Sequence, residues 1–233
     1  LDRGFTKIVM VLGQDHHSYK VRLEGIIQAL GESKNILHII LYQLVTIKED
    51  GELVKLSKRA GKIVELTDII DAVGKDVARY FYLNKKADAH LTFDLVCALE
   101  QNDQNPVFYI QYAYVRIMSI LKKYDHMVLE NLITKSEEKN FTYVYDALEK
   151  TIIRKSLELD LLLDAIVNNY QIHLLAYYMH EYAQLFHNFY NANTCIKVDQ
   201  PESTHARIML LKLMHIVFSR VADIVGMSKL ESM

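Results

Sequence analysis

The sequence predicts an α/β unit followed by an all-α helical bundle, with helix predominating overall. Residues 7–53 alternate short apolar runs with one amphipathic stretch, whereas beyond residue 67 the apolar residues recur at helical spacing. The 233 residues include only two prolines and eight glycines, which argues against a turn-rich all-β fold. We therefore predict two parts, residues 1–100 and residues 101–233.

The composition of the chain restricts the classes of molecule that it is expected to bind. The chain is 51% hydrophobic and 24% charged, which is typical of globular proteins with sizeable cores. Its longest apolar runs are too short and too polar to span a bilayer, so no membrane partner is expected. Cys97 and Cys195 are interpreted as reduced thiols of a cytoplasmic protein. The net charge of −2 gives no broad basic surface, so DNA is not an expected partner, and RNA would have to be bound through local contacts and stacking.

The amino-terminal elements follow a strand–helix–strand pattern. Residues 7–13, KIVMVLG, form a short apolar run that ends in glycine and predicts a strand. A helix should follow and stop at Gly31. Residues 35–47, NILHIILYQLVTI, predict a second strand, and Asp50-Gly51 predicts a hairpin that returns the chain.

The later elements are predicted to be helices. Thr67 is the expected N-cap of a pair of short helices broken at Gly74, and FDLVCALEQND predicts another helix. Asn105 and Pro106 should begin a long helix that runs to about residue 123. Three further helices are expected at about 143–168, 171–192 and 203–225.

A lysine-rich segment is the first candidate site. In VKLSKRAGK, Lys55 and Lys58 lie three residues apart on a frame of small residues, so both can reach adjacent phosphates. Transfer chemistry at phosphorus needs cations aimed at a highly anionic centre. The alternative is a solvated, charged turn that follows a hairpin.

The segment GQDHH is the second candidate site, because it follows the first predicted strand. In strand–helix–strand units, ligands bind at the carboxyl ends of the strands. The alternative is that Asp15 only caps the next helix. His16 and His17 are adjacent and point in different directions on a helix, so no protein metal site is predicted.

The long helix carries the third candidate site. Tyr109, Tyr112 and Arg116 share one stripe, which suits stacking and hydrogen bonding with unpaired bases. The alternative is a tyrosine-rich seam that packs on a neighbouring helix. A second stripe of this helix is expected in the core: Ile110, Ala113, Ile117 and Leu121. Most aromatic residues of AYYMHEYAQLFHNFYNA should also be core, among them Tyr178, Tyr182 and Phe186.

Taken in order, these segments resemble arginyl-tRNA synthetase, a class I synthetase, of the bacterial type. The resemblance covers essentially the whole chain. It is carried by LGQDHHSYKVRLEGIIQALG, GELVKLSKRAGKIVELTDIIDAVGKDVARYFYL, NPVFYIQYAYVRIMSIL, LFHNFYNA and the terminal GMSKLESM. Within the second of these, KLSKR resembles the lysine-rich second signature of class I synthetases.

The resemblance implies a fold and an activity. Residues 1–100 would be the second half of the catalytic domain, a partial Rossmann-like nucleotide-binding fold, and residues 101–233 a helical anticodon-binding domain. The activity would be arginine–tRNA ligase: ATP-dependent attachment of arginine to its tRNA through arginyl-adenylate. The partners would be L-arginine, ATP and the tRNA for arginine, with Mg²⁺ accompanying ATP.

The resemblance also implies residue roles. Lys55 and Lys58 would be catalytic and hold the phosphates of ATP, and Ser57 would help to set their loop. His17 would lie near ATP, and Gln14 near the amino acid. The anticodon would be bound by residues of the helical part: Tyr109, Tyr112, Arg116, His187, Tyr190 and Met233.

One departure from the family pattern leaves alternatives open. The His-x-Gly-His signature of class I synthetases is absent from this sequence, which begins at Leu1. We therefore expect a carboxy-terminal fragment that lacks the first half of the catalytic domain and is inactive alone. The alternative is a stand-alone RNA-binding module without catalysis. A cysteine-specific synthetase is disfavoured, because Cys97 is the one cysteine in the part that would need zinc ligands.

Overall fold

A computed structural model describes residues 3–49, 52–53, 65–130 and 143–233. The predicted lysine-rich segment, with Lys55, Ser57 and Lys58, lies outside these ranges. The described elements form two small sheets with their covering helices, followed by four long helices. Most of the described chain is therefore helical, as predicted.

The strand–helix–strand unit is confirmed. Strand β1 (Ile8–Gly13) pairs in parallel with β2 (Leu37–Tyr42), and helix α1 (Tyr19–Ala29) connects them. Gly31 follows the helix with a φ of +82°, in the left-handed region where side chains other than glycine are strained. This residue therefore ends α1 as expected.

The second predicted strand is in fact two strands, so that part of the prediction was wrong. Strand β3 (Val45–Glu49) does not belong to the same sheet as β2. It pairs with β4 (Glu52–Leu53) and with β5 (Leu91–Asp94) in a separate sheet. At the break, the backbone N–H of Gln43 donates to the carbonyl of Ala87 at 2.8 Å. The apolar run continues through the break, so its pattern does not mark where the strand changes partner.

The two short helices are confirmed, but their predicted N-cap was wrong. Helices α2 (Leu66–Val73) and α3 (Lys75–Leu83) are broken at Gly74. The N-cap of α2 is Glu65, whose backbone N–H donates to the carboxylate of Asp68 at 2.8 Å. Asp68 lies at the third helical position, so Glu65 and Asp68 form a reciprocal capping box. Thr67 therefore lies inside the helix instead of capping it.

The helix predicted in FDLVCALEQND is shorter than expected. Phe93 and Asp94 belong to β5, and helix α4 covers only Leu95–Leu99. The Asp94 carboxylate accepts hydrogen bonds from the backbone N–H groups of Val96 and Cys97, so this residue both ends the strand and caps the helix.

Four long helices complete the chain: α5 (Pro106–Leu129), α6 (Ala147–Asn169), α7 (His173–Ala192) and α8 (Pro201–Val225). Asn105 caps α5 by accepting from the Val107 N–H at 3.0 Å, as its sequence predicts. Both α5 and α6 pack against α7 and α8. No helix within the described ranges combines the length and the apolar character needed to cross a bilayer.

Three of the four residues in the predicted core stripe of α5 are confirmed, because Ile110, Ala113 and Ile117 are at most 1% exposed. The fourth, Leu121, is only partly buried and packs against the same core. The aromatic core of α7 is confirmed as well by buried Tyr178, Tyr182, Phe186 and Phe189. One continuous cluster of buried side chains joins the bundle to β3, β5 and α2–α4.

The carboxy-terminal tail is fastened to α3. The Asp76 carboxylate accepts from the backbone N–H of Ser228 at 3.1 Å and from the Gln111 side chain at 2.9 Å. Arg79 donates to the carbonyl of Val225 at 3.4 Å. Gly226, which follows α8, has a φ of +70°, in the left-handed region where side chains other than glycine are strained, so glycine suits this position.

A buried ion pair fastens the connector between α7 and α8. Glu149 of α6 is fully buried and accepts from Arg207 Nε at 3.0 Å and from the Tyr143 hydroxyl at 3.0 Å. Arg207 also donates to the Thr194 carbonyl at 2.8 Å and to Asn193 Oδ1 at 2.7 Å. One guanidinium thus joins α6, α8 and the connector.

We expect Glu149→Ala to lower the free energy of unfolding by about 3–5 kcal/mol, because it leaves the half-buried Arg207 charge uncompensated. Urea denaturation of the two proteins measures the difference. Glu158→Ala is the matched control: it removes an exposed carboxylate 3.5 Å from Lys155, and the expected loss is below about 1 kcal/mol. Similar small losses for both variants would contradict a structural role for the pair.

Burial within the bundle also lowers the pKa of His187, because desolvation penalises the charged imidazolium. The unfolded chain therefore binds more protons on this residue than the native state below about pH 6.5. The stability that follows from neutral His187 is complete above that pH and is lost as the pH falls.

We therefore expect wild-type stability to fall as the pH decreases below about 6.5, and the fall to be smaller in His187→Gln. Glutamine retains a side-chain N–H but does not titrate. Urea denaturation at several pH values measures the effect, with pH 8 as the internal reference because His187 is neutral there in both states. A wild-type-to-variant difference that is constant with pH would contradict the lowered pKa.

Candidate nucleic-acid interface

Five of the six residues predicted to bind an anticodon form one group, which we name the α5–α7 cluster. Helical spacing puts Tyr109, Tyr112 and Arg116 on one face of α5. Helix α7 packs beside that face and brings His187 and Tyr190 to it. The cluster therefore combines four rings and one guanidinium.

Arg116 is held between two tyrosine rings. Its guanidinium carbon lies 5.3 Å from the ring centroid of Tyr112 and 5.3 Å from that of Tyr190, distances typical of cation–π contacts. Arg116 Nη2 also donates to the Tyr112 hydroxyl at 2.5 Å, and this bond raises the pKa of Arg116. The side chain is therefore permanently charged and its orientation is restricted.

His187 joins the two helices at the centre of the cluster. Its ring lies 4.3 Å from the ring of Tyr109 and stacks nearly parallel to Tyr112, with centroids 5.8 Å apart. His187 Nε2 lies 3.1 Å from the Tyr109 carbonyl and must donate, because a carbonyl only accepts. In the neutral ring, Nδ1 then remains an acceptor. His180, which was not among the residues predicted from the sequence, also joins the cluster: its ring lies 5.5 Å from that of Tyr109.

The α5–α7 cluster both packs α5 against α7 and exposes part of its surface. The tyrosine stripe can therefore be a helix–helix contact and also remain accessible to a ligand. Tyr109 is half-buried against α7, whereas Tyr112 is 37% exposed. Arg116, His187 and Tyr190 are half-buried. This arrangement offers an aromatic surface beside fixed N–H donors, which suits an unpaired base.

Met233, the sixth predicted residue, is 52% exposed at the end of the tail. The tail before it contacts Asp76, and residues 227–229 line a small crevice with Gln111 and Tyr114. By helical position, these two residues lie on the other side of α5 from Arg116. A role for Met233 at an anticodon stays a prediction.

Gln14 and His17, which follow the carboxyl end of β1, both line a cleft of about 1100 Å³ that runs along β2. Both side chains are exposed, and Gln14 begins a single 3₁₀ turn directly after β1. Asp15 lies in the same turn and does not cap α1, whose N-cap position is Ser18. The residues predicted to approach ATP and arginine thus share one cleft. Within the described ranges, no group of three or more His, Cys, Asp or Glu side chains could hold a metal ion.

Comparison with known proteins identifies the helical part. Residues 110–233 match the DALR anticodon binding domain. An arginine–tRNA ligase from Geobacter sp. (strain M21) is 37% identical over 231 residues, which cover 99% of this chain and 41% of that protein. Arginine–tRNA ligase 1 from Halalkalibacterium halodurans is 35% identical with the same coverages. The chain thus spans about two fifths of the length of these relatives.

Solved structures agree with this assignment. A structure from Campylobacter jejuni assigned as an arginyl-tRNA synthetase superposes with a TM-score of 0.83 at 27% identity, over 100% of this chain and 49% of that chain. The arginyl-tRNA synthetase of Thermus thermophilus shares the fold, with a TM-score of 0.72 at 15% identity, over 98% of this chain and 41% of its own. The chain therefore belongs to the DALR anticodon-binding-domain family and matches arginyl-tRNA synthetases along its whole length.

Proposed function

We propose that this chain is the tRNA-reading and partly catalytic portion of an arginine–tRNA ligase that acts in cytoplasmic protein synthesis. The observation that carries the proposal is the α5–α7 cluster, which lies within or next to the matched anticodon-binding domain. The tRNA for arginine is the proposed RNA partner, because the similar proteins are arginine–tRNA ligases.

The geometry of the cluster supports recognition of unpaired bases. The exposed ring of Tyr112 can stack on a base, and Arg116 can donate hydrogen bonds to a base edge or a phosphate. Because Arg116 is already oriented by Tyr112 and Tyr190, binding costs little side-chain entropy. His187 is neutral at pH 7, since burial lowers its pKa, and so adds an acceptor rather than a second charge.

We assign the amino-terminal part a role in binding ATP and L-arginine. The position of Gln14 and His17 at the carboxyl ends of two parallel strands supports this role, because such ends carry the ligands of nucleotide-binding folds. His17 would lie near ATP and Gln14 near the amino acid. Lys55 and Lys58 would hold the phosphates, and Ser57 would help to set their loop. ATP, bound with Mg²⁺, supplies the phosphorus centre at which the arginine carboxylate is activated. The chain's own contribution would be positioning and electrostatic stabilisation.

A stand-alone RNA-binding module is the second candidate function. It rests on the α5–α7 cluster and on the matched anticodon-binding domain, which concern RNA binding alone. Under this alternative, the α5–α7 cluster would still bind RNA, but residues 1–100 would serve as a scaffold without chemistry.

We expect Arg116→Ala to weaken binding of the tRNA for arginine by about 1–3 kcal/mol, roughly a 5- to 150-fold rise in dissociation constant. The variant loses the fixed donors and the charge at the centre of the cluster. Fluorescence anisotropy with a labelled tRNA transcript measures the change. Arg154→Ala, at an exposed position of α6, is the matched control and should bind like the wild type. An unchanged dissociation constant for Arg116→Ala would remove this residue from the site.

We expect the 233-residue chain alone to show no ATP–pyrophosphate exchange in the presence of arginine and tRNA, because its sequence lacks one of the two class I signatures. The same assay on a version joined to a segment containing His-x-Gly-His separates the two candidate functions. Exchange by the joined protein supports the ligase, whereas tRNA binding without exchange in either protein supports the module. Robust exchange by the chain alone would contradict the expected inactivity.

A further inference from the structure

Helices α6 and α8 share an exposed apolar surface on the side of the bundle opposite the α5–α7 cluster. The two sides are opposite because α5 and α6 each pack against both α7 and α8. We name this surface the α6–α8 face, and five exposed side chains define it: Leu157, Leu161, Met209, Ile216 and Ile224. We propose that the α6–α8 face binds the same face of a second copy of the chain. The inference concerns a surface distinct from the proposed RNA site and does not depend on RNA binding.

Helix α6 contributes two leucines that lie one turn apart. Leu157 and Leu161 are 71% and 73% exposed. The helix contacts α7 through Lys155, whose ammonium lies 2.6 Å from Glu181, and it contacts α8 through Glu149. By helical position, Leu157 points about 80° away from Glu149 and about 160° away from Lys155. The leucines therefore lie on the outer side of α6 that is nearer to α8.

Helix α8 contributes a stripe that faces away from α5. Met209 and Ile216 lie two turns apart, and Ile224 follows two turns later. The contact with α5 is made by His215, whose Nε2 lies 3.1 Å from the Tyr114 hydroxyl. Met209 and Ile216 point about 100–120° away from His215. Since α6 is the other helix beside α8, the stripe lies next to the leucines of α6.

The α6–α8 face has the character and the size of an interaction surface. Exposed apolar side chains are normally scattered singly, whereas contiguous groups of them mark binding sites. The face is about 22 Å long and about 20 Å wide, from the rise of a helix and the spacing of two packed helices. That area lies at the lower end of specific protein interfaces, so we expect a reversible dimer with micromolar affinity.

Charged side chains of opposite sign lie at the same level on the two helices. The bond between Glu149 and Arg207 joins the amino-terminal parts of α6 and α8, which therefore run in the same direction, and it spans 58 residues of sequence. The same offset puts Arg220 level with the turn that contains Asp160 and Asp164. All three side chains are exposed, and none is ion-paired within the described ranges.

This pattern makes the α6–α8 face complementary to itself. A two-fold axis parallel to the helices places α6 of each copy opposite α8 of the other and preserves the level of every residue. Arg220 of each copy then faces Asp160 and Asp164 of the other. Arg154 and Lys212 meet only at the rim, where solvent screens their repulsion.

The occupant that fits the face is therefore a second copy of the chain, because one surface supplies both the apolar contacts and both signs of charge. In the dimer, the two α5–α7 clusters lie on the outer sides of the paired bundles. Both proposed RNA sites remain accessible.

The first test measures association of the 233-residue chain by sedimentation velocity over a micromolar concentration series. The wild type should shift from monomer to dimer, and Ile216→Glu should raise the dissociation constant on the order of 10- to 100-fold, because a carboxylate would lose its hydration in the interface. Val21→Glu is the matched control: it makes the same kind of change at a 74% exposed residue of α1 and should dimerise like the wild type. Melting temperatures verify that the variants are folded.

The second test reverses the charges. Arg220→Glu and Asp164→Arg each place like charges across the interface, and each should raise the dissociation constant on the order of 5- to 50-fold. One substitution lowers the net charge and the other raises it, so a general charge effect cannot weaken both. A mixture of the two variants, one of them labelled for fluorescence-detected sedimentation, should form a heterodimer with nearly wild-type affinity, since the reversed charges then face each other.

Three results would overturn the inference: a wild type that stays monomeric at every concentration, an Ile216→Glu variant that dimerises like the wild type, or a charge-reversed mixture that associates no better than either variant alone. RNA binding is measured separately. Ile216→Glu should bind the tRNA for arginine like the wild type, and Arg116→Ala should dimerise like the wild type. A failure of the proposed function can thus be distinguished from a failure of the α6–α8 face.

Discussion

The packing of α5 against α7 is the contact on which the proposed RNA site depends. Burial of Ile110 and Ile117 contributes about 1.5–3 kcal/mol for each side chain and sets the rotation of α5 about its axis. Because Tyr109 and Arg116 are offset from that buried stripe by part of a helical turn, the same rotation aims them at α7. Core packing and site geometry are thus two consequences of one helix–helix contact.

The connector after α7 helps to hold the α5–α7 cluster in place, although it lies outside the cluster. Tyr190 lies in the last turn of α7, and the chain just beyond it is held at Asn193 and Thr194 by Arg207. Arg207 is held in turn by buried Glu149. Replacement of a buried ion pair by apolar residues is often neutral or stabilising, so stability alone gives little reason for this one. Its physical effect here is to fix where α7 ends, and with it the ring that faces Arg116.

Helix α3 links the two parts of the chain. Its Asp76 accepts hydrogen bonds from both α5 and the tail, and its buried residues belong to the same core cluster as the bundle. The cleft that contains Gln14 and His17 lies beside the loop that follows α3. The α5–α7 cluster and the cleft are therefore attached to one continuous core.

The features that could be predicted from the sequence alone depend on local interactions. Gly31, Gly74 and the Asn105-Pro106 pair mark helix ends correctly, since capping and left-handed backbone conformations depend on a few neighbouring residues. Helical periodicity likewise separated the buried stripe of α5 from the stripe of Tyr112 and Arg116.

Tertiary structure decided the features that join distant residues. The continuous apolar run of residues 35–47 does not show where β2 ends and β3 begins, because the break depends on which strand each half pairs with. His187 reaches the Tyr109 carbonyl across a separation of 78 residues, and Tyr170 meets His38 only because the α6–α7 turn lies beside β2. The spacing of apolar residues in the sequence indicates which side of a helix or strand a residue occupies. Which residue it contacts across the core is set by packing in three dimensions.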